Sequence, residues 1–171
     1  AFGAATVEQT TFQDATLVDA TLPDATVREC VFRGATLAGV DLGAETVAAV
    51  VEPDFDGADL TGADLAEQTF ETVRAEGATL ADADLTDADL ADGVLDGADL
   101  SGATLDGAVL AEVSARDATF AQATLDEADL SAATAQAATL DGASVTDADL
   151  TGVDLRDATA VGAAFADATL A

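Results

Sequence analysis

Residues Ala78 to Leu105 read, in fives, ATLAD ADLTD ADLAD GVLDG ADLSG ATL. A large apolar residue returns at every fifth place, a small one stands two positions before it, and the beat runs with few faults from Phe55 to Leu170. A period of five fits neither an amphipathic helix, whose apolar places recur at three and four, nor a long alternating strand. It fits three extended residues followed by a two-residue corner. With Leu85 as a centre, side chains alternate along the extended segment, so Leu85 and Ala83 point inward and Asp84 points out. Thr86 and Asp87 then make the corner. Corner places hold Gly, Asp or Ser along the chain, residues that tolerate tight turns. All seven phenylalanines (Phe2, Phe12, Phe32, Phe55, Phe70, Phe120 and Phe165) fall on centres. A coil lined by alternating Ala and Leu closes on itself without a central void.

The repeat resembles that of the pentapeptide-repeat proteins, whose pattern is A(D/N)LXX. It is seen here in Ala58-Asp59-Leu60-Thr61-Gly62, Ala83-Asp84-Leu85, Ala88-Asp89-Leu90, Ala98-Asp99-Leu100-Ser101-Gly102 and Ala148-Asp149-Leu150-Thr151-Gly152. The resemblance implies an all-β fold, a right-handed four-sided parallel β-helix with four pentapeptides per coil and about eight coils. The spacing alone gives a closed coil and leaves the number of sides open.

At 171 residues the chain is expected to form one domain, 1–171. No apolar run approaches a membrane span. Residue 1 already lies inside a repeat and is not Met, so a trimmed, processed or partial terminus is expected rather than a signal peptide. The centres run Phe2, Val7, Phe12, Leu17, Leu22, Val27, Phe32, Leu37 and Leu42, and the phase then breaks at about 43–54. Leu42 to Phe55 is two fives plus three, so about three extra residues bulge there, with Phe55 restarting the beat. Ala75, Ala115, Ala135 and Ala160 replace large centres, and the core is expected to be underfilled around them. Cys30 takes the small inward place before Phe32, where a thiol packs like Ala. A lone cysteine forms no internal disulfide, which favours a cytoplasmic protein.

The formal net charge is −29, from 25 Asp and 9 Glu against five Arg, with neither Lys nor His. Such a surface repels nucleic acid and anionic lipid and invites basic partners. Without His, Lys or Tyr the chain lacks the usual general bases and nucleophiles, so no enzyme activity is expected. Nor does the sequence indicate a cofactor or a dedicated metal site.

Four fives to a coil would stack residues twenty apart at about 4.8 Å, the spacing of neighbouring strands. One side then carries Arg33, Arg74, Arg116 and Arg156, with Arg33 beside Asp56, Arg74 beside Asp54 and Arg116 beside Asp96. The opposite side has no arginine and carries Asp24, Asp41, Asp64, Glu67, Asp84, Asp87, Asp106, Asp126, Glu127, Asp147 and Asp167. Stacked like charges, such as Glu67 over Asp87 or Glu127 over Asp147 over Asp167, oppose the sheet.

Spread over roughly 40 Å of rod, the net charge comes to about one per 1.4 Å, against about one per 1.7 Å for duplex DNA. The family resemblance implies a candidate activity: acidic members bind DNA gyrase and topoisomerase IV in place of DNA, inhibiting the enzyme or protecting it from quinolones. On that reading Asp64, Glu67, Asp84, Asp87, Asp106, Asp126, Glu127, Asp147 and Asp167 form the surface that meets a basic DNA-binding protein. The alternative is salt adaptation, in which the acids suit a solvent that screens over about 3 Å at 1 M, and the rod is a scaffold or protein-binding module. A threonine array with Thr16, Thr36, Thr79, Thr119, Thr139 and Thr159 on one side is explained by β-propensity. The last coil of a solenoid exposes apolar surface and an unpaired edge, so either the C-terminal coil around Phe165 and Leu170 is expected to form a dimer contact, as in some members of the family it resembles, or the chain is cut from something larger.

Overall fold

The computed structural model describes residues 5–22, 24–43, 49–70 and 72–170. The expected centre Phe2 lies outside them. Each five-residue unit is an extended segment and a tight corner. Around Leu85 the Asp84 N–H donates to Ala63 O (2.9 Å) in the coil before, and the Leu85 N–H donates to Thr104 O (2.7 Å) in the coil after. The corner closes when the Ala88 N–H donates to Leu85 O at 3.0 Å, with Asp87 at φ 54°. A left-handed second corner residue is what a type II turn demands. That requirement explains why Gly and Asp share the place.

Three segments are long enough to be strands: β1 (Thr6–Glu8), β2 (Thr26–Arg28) and β3 (Ala49–Val51), paired in parallel in that order. Elsewhere one residue per unit bridges to its neighbour, as in Asp41↔Asp64↔Asp84↔Thr104. Thr6 pairs with Thr26, twenty residues on, and the same offset joins Asp84 to Thr104 and Thr104 to Thr124. Twenty residues at five per side make a four-sided parallel β-helix.

The offset becomes 23 where Thr26 pairs with Ala49 and Val27 with Val50. Asp41↔Asp64 keeps 23, and Asp64↔Asp84 returns to twenty. The added residues therefore lie between Leu42 and Ala49. The beat restarts at Val50, which is fully buried, one unit earlier than the expected restart at Phe55. Gln68 occupies an inward place in the following coil, 3 % exposed, and its side-chain oxygen accepts the Val50 N–H at 3.3 Å. A polar side chain in the core thus satisfies a buried donor where the register shifts.

Inward places alternate small and large as the spacing requires, Ala83 beside Leu85 and Ala103 beside Leu105, all buried. Phe12, Phe32 and Phe55 stack along one side, with ring centroids 5.0 and 5.3 Å apart. Cys30 is buried, and its thiol donates to Arg28 O and Val7 O. The expected underfilling at Ala75 and Ala115 is corrected by their neighbours. The small places before them hold Val73 and Val113, both buried, while the coil between carries Gly93 before Leu95. A Cβ on Gly93 would lie 2.7 Å from Val73 Cγ1, so the absent side chain makes room for the valine. Volume lost at the centre returns two residues earlier.

Candidate functional site

Register fixes the faces. The side with centres Leu22, Leu42, Leu65, Leu85, Leu105, Leu125, Val145 and Phe165 presents the acidic residues, and the side with centres from Phe12 to Leu155 presents the arginines. On the arginine side the expected pairs are partly exchanged. Arg33 Nε lies 2.7 Å from Asp54 and its Nη2 3.3 Å from Asp56, whereas Arg74 meets Asp56 at 2.9 Å. Asp54 and Arg74 are bridge partners, and the long Arg74 side chain reaches past its neighbour to the corner carboxylate. Arg116 pairs with Asp96 at 3.4 Å, as the stacking predicts. Arg156 takes Asp154, in its own unit, at 2.7 Å. The Arg156 guanidinium, with help from the Gln136 amide, holds the Asp154 carboxyl far below the usual carboxylate range. Four cations are thus engaged by carboxylates of their own side.

On the opposite side Asp64 and Asp84 are bridge residues, Asp106 and Asp126 stand first in their corners, and Glu67, Asp87, Glu127, Asp147 and Asp167 stand second with φ between 54° and 62°. Asp64, Glu67, Asp84, Asp87, Glu127, Asp147 and Asp167 are exposed, and Asp106 and Asp126 half-buried. Thr86, Asp87, Asp106, Gly107, Asp126 and Glu127 line a shallow open depression. At the C-terminal coil Phe165 is half-buried and Leu170 is 62 % exposed.

The carboxylates also have a role that the sequence pattern did not reveal. The first corner residue turns its N–H outward, where nothing in the coil ladder can accept it, and an aspartate does so in one of two ways. A bridge aspartate reaches two residues ahead, as Asp64 does to the Ala66 N–H (3.1 Å) and Asp84 to the Thr86 N–H (3.0 Å). A Thr or Ser hydroxyl at that same place adds a second bond from Thr86 to Asp84 (2.6 Å) and from Ser101 to Asp99 (2.6 Å). Alternatively, a first-corner aspartate accepts the N–H of the same corner one coil on, as Asp106 does from Asp126 (3.1 Å) and Asp126 from Thr146 (2.9 Å). The Ser144 hydroxyl, then the Thr146 N–H, hold the Asp126 carboxyl below its usual range, and the Thr151 hydroxyl and N–H do the same for Asp149. Hydrogen bonds to the charged form favour ionisation.

Among the described residues no group of three or more His, Cys, Asp or Glu is placed to hold a metal ion, and no helix is long and apolar enough to cross a membrane. The sequence matches the family described as Pentapeptide repeats, in eight copies over residues 10–43, 54–92, 94–131 and 136–170. The chain belongs to the pentapeptide-repeat family. Its four-sided coil is the family's right-handed β-helix. Among solved structures, a trypsin-treated variant of QnrB1, a plasmid-mediated fluoroquinolone resistance protein, superposes with a TM-score of 0.76 at 22 % identity, over 99 % of this chain and 85 % of that one. HetL, a pentapeptide-repeat protein involved in heterocyst differentiation regulation from the cyanobacterium Nostoc sp. strain PCC 7120, gives 0.44 at 24 % identity, over 95 % and 84 %. No curated protein matches the sequence.

Proposed function

We propose that this pentapeptide-repeat rod is a non-catalytic DNA mimic whose arginine-free side occupies the basic surface of a type II topoisomerase such as DNA gyrase. One observation carries the reading. The corner-capping oxygen could come from Asn as well as from Asp, yet the sequence contains no asparagine at all. Both side chains offer the same acceptor, and only aspartate adds charge. The choice therefore serves the charge itself, on a side where stacked carboxylates oppose the sheet. The density of about one charge per 1.4 Å compares with about one per 1.7 Å for the duplex it would replace. That the fold is shared with a fluoroquinolone resistance protein agrees with this reading.

Competition is the mechanism. Asp64 and Asp84 along the face, with Glu67, Asp87, Asp106, Asp126, Glu127, Asp147 and Asp167 at its corners, meet cationic side chains that otherwise hold phosphates. Binding then weakens steeply with added salt. The test is a gyrase supercoiling titration at moderate salt, with circular dichroism confirming that the rod is folded there. Inhibition at micromolar or lower concentration is expected, weakened at least tenfold when Asp64, Asp84, Asp87 and Asp147 are all changed to Asn. A folded rod without effect would overturn the mimic and leave a salt-adapted scaffold.

A further inference from the structure

The chain contains five Asp–Gly bonds, at 56–57, 92–93, 96–97, 106–107 and 141–142. Four of them are whole corners, and in all four the structure repeats one arrangement. The aspartate Oδ1 accepts the N–H of the residue twenty positions on, and the glycine N–H donates to that same residue's carbonyl. Asp56 and Gly57 grip Glu76 in this way (3.0 and 2.9 Å), and Asp96 and Gly97 grip Arg116 (2.8 and 2.7 Å). Asp106 and Gly107 grip Asp126 (3.1 and 2.8 Å), and Asp141 and Gly142 grip Val161 (2.8 and 2.9 Å).

The two groups held, the aspartate carboxyl and the glycine N–H, are the two that react when an Asp–Gly bond ages. In that reaction the glycine nitrogen attacks the aspartate Cγ and a C–N bond forms. The protonated carboxyl loses its hydroxyl with the amide proton as water, leaving a cyclic imide. Water then reopens the ring at either carbonyl, giving back aspartate or an isoaspartate joined through its side chain, with no net change in mass. The missing Cβ of glycine makes this dipeptide especially prone to closure, since nothing hinders the required backbone rotation. In the coil that rotation would break both inter-coil bonds at once.

We propose that Asp141 is the isoaspartate-forming site of the folded rod, and that the two-bond grip suppresses the reaction at Asp56, Asp96 and Asp106. Glu76, Arg116 and Asp126, the residues gripped by those three, belong to coils whose centres are buried. Val161 stands in the coil where Val153, Leu155, Ala158 and Phe165 are only partly buried, and it is itself 76 % exposed. Weakly buried elements open first. Asp92–Gly93 is placed differently: the Gly93 N–H closes its turn on Leu90 O at 3.0 Å, and the glycine packs against Val73 in the middle of the rod. That bond is freed only when the middle coils unfold. An isoaspartate adds a methylene to the backbone, so a converted corner no longer fits the five-residue beat.

The experiment is prolonged incubation of the intact 171-residue chain at pH 7.4 and 37 °C, folded and in 8 M urea. Isoaspartate is located by peptide mapping with electron-based fragmentation and by isoaspartyl methyltransferase labelling. In the folded rod Asp141 is expected to convert at least tenfold faster than the other four, and in urea all five should convert within about threefold of one another. Val161→Pro removes only the N–H that Asp141 accepts, at a first-corner place whose backbone suits proline. It should speed conversion at Asp141 at least threefold with an unchanged dichroism spectrum. Equal conversion at all five sites in the folded rod, or no acceleration in a folded Val161→Pro, would overturn the proposal.

Discussion

Two residues that look like faults in the repeat complete one another. Val73 is too large for a small inward place and Ala75 too small for a centre, yet both are buried in one coil, above Gly93 and Leu95 with the opposite assignment. Filling one place without emptying the other overpacks the coil, which costs about 1–3 kcal/mol. Emptying Val73 alone leaves a cavity of comparable cost. Val73→Ala and Ala75→Leu should therefore each lower the stability measured by chemical denaturation, and the double variant should recover at least half of the summed loss. Additive losses would show that the two sites do not share a volume. The pattern is legible in the sequence only once the coil is closed, because a period of five counts positions and is blind to volume. Gln68 is a similar case. It stands two places before the centre Phe70, an inward place by the repeat, but the donor it satisfies, the Val50 N–H, is brought there by a shift in register.

At the scale of the element, the corner is what the repeat encodes best. Centre, small inward residue and turn all fall where the fivefold reading puts them, and the left-handed second corner residue explains the recurrence of Gly and Asp there. The outward aspartate was legible as outward and acidic, but not as a cap, since only the corner geometry turns an N–H toward it. Asp84→Ala removes that acceptor along with a charge, whereas Asp84→Asn removes the charge alone. In 1 M salt, where repulsion is screened, Asp84→Ala should cost about 0.5–1.5 kcal/mol and Asp84→Asn close to nothing. At low salt Asp84→Asn should raise the melting temperature by relieving repulsion from Asp64 in the neighbouring coil. A loss with Asn equal to that with Ala would refute the capping role. That the beat restarts at Val50 rather than at Phe55 has a physical reason. Ala49, Val50 and Val51 are all apolar, so no in–out contrast marks the centre, and pairing with Val27 decides it.

For the whole molecule, the asymmetry of charge is legible in the sequence, because twenty-residue stacking projects it directly onto faces. The partner exchange between Arg33 and Arg74 is not, since it depends on side-chain reach rather than position. Charge also sets how the rod responds to acid. Asp126, Asp149 and Asp154 titrate below their unfolded value of about 3.9. Groups shifted in this direction stabilise the fold fully above that value and lose their contribution as pH falls through their folded pKa. In 1 M salt, thermal melting should thus be nearly flat from pH 7 to 5 and fall below about pH 4. Asp126→Asn keeps the acceptor of the Thr146 N–H without titrating, and should flatten the acid limb relative to the parent. An unchanged limb would mean that Asp126 contributes nothing to it.

The coil ladder also dictates how the rod yields to force. Its inter-coil hydrogen bonds lie along the long axis, so tension applied at the two ends loads one coil at a time, like the opening of a zip. Each coil that lets go hands over twenty residues, about 70 Å of extended chain. The coil pair set 23 residues apart releases roughly 10 Å more. The three added residues beside β3 thereby give an otherwise uniform series of extensions a single longer step.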